Sequence, residues 1–229
     1  MNRLGLACAL VEQLKGVIGF VKVGNQLFTA EGPQAVRQLA GLGADIFLDL
    51  KFHDIPNTVS KAVAAAAELP NVRLLTMHAS GGMAMMKAAS EAIEGVKNRP
   101  ALLGVTILTS LDNAAIKQVG LGGTVSSRAV ALARLAKRAG LDGVVSSGHE
   151  VQAIRKACGE DFLILVPSVR PAGSASNDQA RVATPGEAAR AGANYLVVGR
   201  PITAATNPRE AALAIVAEVA SARSMRQSA

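Results

Sequence analysis

The chain has 229 residues, half of them hydrophobic, with 3% aromatics and no Trp. That length fits one large domain around an aliphatic core of Ala, Val, Leu and Ile. The net charge of +7 would suit nucleic acid or an anionic small ligand, but the basic residues are dispersed and a single Tyr offers little stacking, so no nucleic-acid partner is expected.

Apolar periodicity predicts a helix over Leu4–Leu14, a strand over Ile18–Val23 and a helix over Gly32–Leu42. A strand over Asp45–Leu50, a helix over Asn57–Leu69, a strand over Leu74–His78 and a helix over Gly82–Ala92 follow. Next come a strand over Ala101–Leu108, a helix over Val125–Ala139, a strand over Gly143–Ser146 and a helix over His149–Ala157. The pattern ends with strands over Leu163–Pro167 and Tyr195–Gly199, each followed by a helix, over Thr184–Ala191 and Pro208–Ala222. Thr184-Pro185 and Asn207-Pro208 read as N-caps with proline at the first helical position. Gly43, Gly140 and Gly192 read as C-terminal caps.

Alternating strands and helices imply an α/β fold with a parallel sheet, and the period is that of a (β/α)8 TIM barrel. Only seven strands are found, so the first strand is read as missing from this chain. Residues 1–229 form a single barrel domain, with 221–229 expected as a frayed tail. No Gly-x-Gly-x-x-Gly follows a first strand, which disfavours a dinucleotide fold. No apolar run is long enough to cross a bilayer, and no signal peptide is seen. Cys8 and Cys158 are read as free thiols of a cytoplasmic protein. The three histidines, His53, His78 and His149, lack metal-ligand spacing, so no metal is expected.

The densest chemistry lies in Asp49-Leu50-Lys51-Phe52-His53-Asp54. Side chains two apart on a strand share a face, which puts Asp49 and Lys51 together at a strand's C-terminal end, where barrel active sites are built. Carboxylates on either side of a lysine favour its protonated form. A salt bridge that merely anchors the loop is the plain alternative. Lys22 sits in the apolar run Phe20-Val21-Lys22-Val23 and needs an anionic partner there, which neighbouring Asp49 could supply. Val198-Gly199-Arg200-Pro201 ends the last predicted strand, and Arg170-Pro171-Ala172-Gly173-Ser174 opens a long loop before it. Loops after the last two strands form the usual phosphate site of such barrels.

The run Asp49-Leu50-Lys51-Phe52-His53-Asp54-Ile55-Pro56-Asn57-Thr58 resembles the signature of bacterial orotidine 5′-phosphate decarboxylases. Lys22-Val23-Gly24, His78-Ala79-Ser80-Gly81-Gly82, Val105–Ser110, Val169–Ser174, Asp178-Gln179 and Val198–Pro201 match in the same order. The resemblance implies a homodimeric barrel that converts orotidine 5′-phosphate to UMP and CO2 with no cofactor or metal. It implies that Lys51 donates the proton to C6, Asp49 crowds the substrate carboxylate and Lys22 contacts the ribose. It further implies that Asp54 and Thr58 reach into the partner subunit's site. Thr109 and Ser110 would face the pyrimidine, and Arg170, Gln179, Gly199 and Arg200 would hold the phosphate.

Two departures stand out. The ribose-contacting Asp that such enzymes carry on their first strand has no counterpart here, and Pro167-Ser168-Val169 stands where Pro-Gly-Ile is usual. Two alternatives follow. Sugar-phosphate enzymes on the same barrel share the Asp-x-Lys-x-x-Asp pattern, but need an acidic metal ligand that Ile18–Val23 lacks. A non-catalytic binder of nucleotide phosphates is the other.

Overall fold

The computed structural model describes residues 3–171 and 183–227. Seven strands form its sheet: β1 (Val21–Gly24), β2 (Ile46–Phe52), β3 (Val72–His78), β4 (Ala101–Val105), β5 (Gly143–Val145), β6 (Leu163–Val166) and β7 (Tyr195–Leu196). Every neighbouring pair is parallel, in the order β1-β2-β3-β4-β5-β6-β7. The helices are α1 (Arg3–Leu14), α2 (Asn25–Glu31), α3 (Pro33–Gly41), α4 (Pro56–Ala67), α5 (Gly82–Glu91), α6 (Asn113–Gln118), α7 (Val125–Arg138), α8 (Val151–Cys158), α9 (Pro185–Ala191), α10 (Arg200–Thr203) and α11 (Pro208–Gln227).

Apolar burial on both faces explains why the strands read as continuous hydrophobic runs. Ile46, Leu48, Leu75, Met77, Leu102 and Val144 face outward into the layer that the helices cover. Phe47, Leu74, Leu103, Val105, Val145 and Leu165 face inward and fill the interior. The sheet curls far enough that Phe20, just before β1, and Tyr195 of β7 pack edge to face with ring centroids 5.5 Å apart. The result is a TIM-type barrel with seven strands among the described residues. β1 and β7 do not pair. The space between them is an apolar cavity of about 520 Å³, lined by Leu10, Leu14, Val21, Leu196, Ile202 and Ile215 among others.

The expected caps form. Thr184 and Glu187 make a reciprocal capping box at α9, and Gly192 ends that helix in the left-handed region. The backbone N–H of Glu210 donates to the Asn207 side chain at the start of α11. Three short helices, α2, α6 and α10, lie where the sequence pattern had no helix. The strand expected over Ala101–Leu108 stops at Val105, and 107–110 line the barrel mouth. The tail expected to fray from Ser221 falls largely on α11, which runs through Gln227. Ala222 is buried there, and Arg223 donates to the carbonyls of Ala193 (3.5 Å) and Asn194 (3.0 Å).

One buried cation ties the closed end of the barrel together. Arg155 of α8 donates Nη1 to the carbonyls of Gly159, Glu160 and Phe162 at 2.7–2.8 Å. Its Nη2 donates to Gly192 O and Asn194 Oδ1, both at 2.8 Å. The connections into β6 and β7 are thereby locked to one side chain. Arg155→Met keeps an unbranched apolar stem but leaves several carbonyls without a donor, so stability should fall by at least about 3 kcal/mol. A thermal melt should show Tm lower by roughly 6–12 °C for a chain of this size. An unchanged Tm would refute the role.

Candidate active site

The C-terminal ends of the strands open onto a cavity of about 250 Å³ lined by Lys22, Asp49, Lys51, Thr109 and Ser110, with Phe47, Val105 and Leu165 as its floor. Asp49 is its electrostatic centre and is only 8% exposed. Its Oδ2 accepts from Lys51 Nζ at 2.7 Å and lies 3.5 Å from Lys22 Nζ. A carboxylate this buried requires compensation, and two ammonium groups provide it. Lys22 reaches Asp49 from β1 because Gly24 carries no side chain. A Cβ there would fall 2.7 Å from Lys22 Nζ.

Simple strand alternation does not describe how Lys51 arrives. Leu48 pairs with Leu75 and Phe52 pairs with Met77, so Asp49, Leu50 and Lys51 together oppose the single residue Thr76. This bulge re-aims side chains at the end of a strand. Lys51 itself adopts φ 53°, the left-handed region that a side chain disfavours. Thr76 is fully buried. Its hydroxyl donates to Asp49 Oδ1 (2.9 Å) and accepts from the Lys51 backbone N–H (3.0 Å). Sequence reading missed Thr76, which looks like any β-branched strand residue.

His78, at the end of β3, stacks at a tilt on His53 with centroids 5.3 Å apart. Burial holds the His78 imidazole below its ordinary pKa, and the charges of His53 and Lys51 add to that against an upward pull from Asp49.

The other expected residues fall in two places. Asp54 and Thr58 are exposed, and Asp54 Oδ1 accepts from the backbone N–H of Ile55 at 2.6 Å. They do not join the Lys22–Asp49–Lys51 cluster of their own chain. Beside them Ile55 is 65% exposed. Thr109 Oγ1 lies 3.2 Å from Ser168 Oγ and joins the loop after β4 to the loop after β6. Ser168 has φ 61°, which explains why glycine suits that position and why serine is a departure. Arg170 is buried, its backbone N–H donates to Ala183 O (3.1 Å), and its Nε has no partner among the described residues. Gly199 and Arg200 are exposed at the start of α10, and the space beside Gly199 is open. Gln179 lies outside the described residues.

Comparisons with known proteins agree on the family. The model of the orotidine 5′-phosphate decarboxylase / HUMPS family matches residues 3–215. A protein of Nitrosococcus oceani named orotidine 5′-phosphate decarboxylase is 53% identical over 213 residues, covering 93% of this chain and 91% of its own. One of the same name from Syntrophotalea carbinolica is 52% identical over 217 residues, covering 93% of this chain and 88% of its own. Among solved structures, orotidine 5′-phosphate decarboxylase from Lactobacillus acidophilus superposes with a TM-score of 0.77 at 38% identity. It covers 87% of this chain and 86% of its own. An uncharacterized conserved protein from Geobacillus kaustophilus gives 0.82 at 33% identity, with 96% of each chain covered.

Proposed function

The chain belongs to the orotidine 5′-phosphate decarboxylase / HUMPS family, and we propose that it decarboxylates orotidine 5′-phosphate to UMP and CO2, with Lys51 as proton donor. The observation that carries this reading is the Lys51 ammonium held 2.7 Å from buried Asp49 in the cavity at the strand ends. Breaking the bond between C6 and the carboxylate leaves an electron pair on C6 and releases CO2. A fixed ammonium beside that carbon stabilises the charge as it develops. Lys51 then transfers its proton to C6, giving UMP, and regains a proton from solvent. Asp49 has two functions in this scheme. It holds the Lys51 ammonium in place and aimed, and it crowds the substrate's carboxylate, a repulsion relieved when neutral CO2 leaves. Lys22 contacts the ribose, and Thr109 and Ser110 face the pyrimidine.

Arg170, Gln179, Gly199 and Arg200 hold the phosphate. Binding energy from this remote group can offset the cost of bringing two carboxylates together. The buried Arg170 guanidinium, whose Nε has no partner among the described residues, supports this assignment. The active unit is a homodimer in which Asp54 and Thr58 serve the partner's site. The exposure of Asp54, Ile55 and Thr58, and the separation of Asp54 from its own chain's cluster, support that arrangement. No helix among the described residues is long and apolar enough to cross a membrane.

The direct test is loss of orotidine 5′-phosphate absorbance with purified protein, and magnesium-dependent turnover of a ketose phosphate instead would overturn the reading. A binding test is independent of chemistry. At 100-fold over its Kd, UMP should stabilise the fold by about 2.7 kcal/mol. For a chain of this size that raises Tm by roughly 5–10 °C. No shift at saturating UMP would count against nucleotide binding altogether.

A further inference from the structure

We propose that Thr76 is the positioning residue of this site, its single hydroxyl joining the Asp49 carboxylate to the backbone of Lys51. The inference rests on the proposed role of Lys51 and goes beyond it. Thr76 lies within β3, is not itself among the residues that line the cavity and has no relative solvent exposure. It acts only through the two residues it holds.

The geometry gives the hydroxyl two simultaneous tasks. Its proton goes to Asp49 Oδ1 at 2.9 Å, and its oxygen receives the Lys51 N–H at 3.0 Å. A serine or threonine hydroxyl is the smallest side chain that can both donate and accept through one atom. The bulge makes this necessary. Three residues of β2 face one of β3, so the ladder cannot satisfy the Lys51 N–H in the ordinary way. A buried N–H without a partner is costly. The left-handed backbone of Lys51 adds strain. Such a conformation persists only where its surroundings over-determine it.

Asp49 is fixed from both sides. Thr76 takes Oδ1, which orients the carboxylate plane, and Oδ2 is left to the ammonium groups of Lys51 (2.7 Å) and Lys22 (3.5 Å). Remove the hydroxyl and the carboxylate can rotate, and with it the lysine that follows Oδ2. Phosphate contacts lie elsewhere and should not sense the change. The signature is therefore a fall in kcat with little change in nucleotide affinity.

Thr76→Val, which swaps the hydroxyl for a methyl of similar size, tests this. We expect kcat on orotidine 5′-phosphate to fall by about 10²-fold, the scale of a misplacement of roughly 1 Å. KM and the UMP-induced rise in Tm should stay within about twofold of wild type, since the phosphate grip is untouched. Thr76→Ser should recover kcat to within about fivefold of wild type because it keeps both hydrogen bonds. Two results would overturn the proposal: Thr76→Val retaining full kcat, or Thr76→Ser failing as badly as valine. Should the valine protein not fold, Thr76→Cys replaces it, and undiminished kcat in that variant overturns the proposal equally.

A readout without turnover separates this idea from the functional reading. Acylation of Lys51 by an amine-reactive reagent, followed by peptide mass analysis, should quicken several-fold in Thr76→Val. Equal labelling in both proteins sinks the positioning role. Wild-type protein that never turns over orotidine 5′-phosphate sinks the decarboxylase reading instead, whatever the labelling shows.

Discussion

Lys51→Ala should lose at least about 10⁴-fold in kcat on orotidine 5′-phosphate, combining loss of a general acid with loss of a fixed charge. That is about 5 kcal/mol of transition-state stabilisation at 1.36 kcal/mol per decade. UMP affinity, read by the rise in Tm, should change by no more than about threefold, because phosphate contacts supply binding that the reaction centre does not. Asp49 keeps Lys22 at 3.5 Å, so its charge is not abandoned and the fold should survive. Lys51→Arg separates the two contributions. Arginine retains positive charge but does not release a proton near neutral pH, so it should stay at least about 10²-fold below wild type. If Lys51→Ala lost turnover and UMP binding together, Lys51 would be a structural residue and the mechanism above would fall.

That prediction rests on residues the sequence made visible, and on others it did not. The alternation of apolar strand runs with amphipathic helices was legible because buried parallel strands carry little but Val, Ile and Leu. Asp49 and Lys51 were legible because their charges interrupt such a run at its C-terminal end. Their mechanism of meeting was not. Alternation puts residues 49 and 51 on one face of a regular strand, whereas β2 bulges there and Lys51 takes φ 53°. No residue type announces a left-handed lysine, and the hydroxyl that receives its N–H belongs to Thr76, 25 positions away. Short helices escaped for a simpler reason. α2, α6 and α10 span seven, six and four residues, too few turns for an apolar stripe to stand out from its flanks. Arg200 and Pro201, which open α10, were read only as part of the phosphate-site run Val198–Pro201. Ser168 shows the reverse case. Its departure from glycine was plain in the sequence, while its φ of 61° and its contact with Thr109 required the fold.

The second large effect concerns Asp54. In its own chain it is exposed, bonded to the next backbone N–H and apart from the Lys22–Asp49–Lys51 cluster. Asp54→Ala should therefore leave Tm close to wild type, as exposed substitutions usually do, yet reduce kcat by at least about 10²-fold if the carboxylate supports Lys51 across the dimer. Mixing makes the claim decisive. Lys51→Ala and Asp54→Ala proteins should each be strongly impaired, and each carries what the other lacks. In a two-fold symmetric dimer with shared sites, a mixed pair contains one site with both defects and one with none. Random reassociation of equal amounts puts half the protein into mixed dimers, so activity should return to about a quarter of wild type. If Asp54 acts within its own chain, every site in every dimer keeps a defect and mixing restores nothing. The same null result follows if the chain works as a monomer, and sedimentation of the mixture would tell those two cases apart.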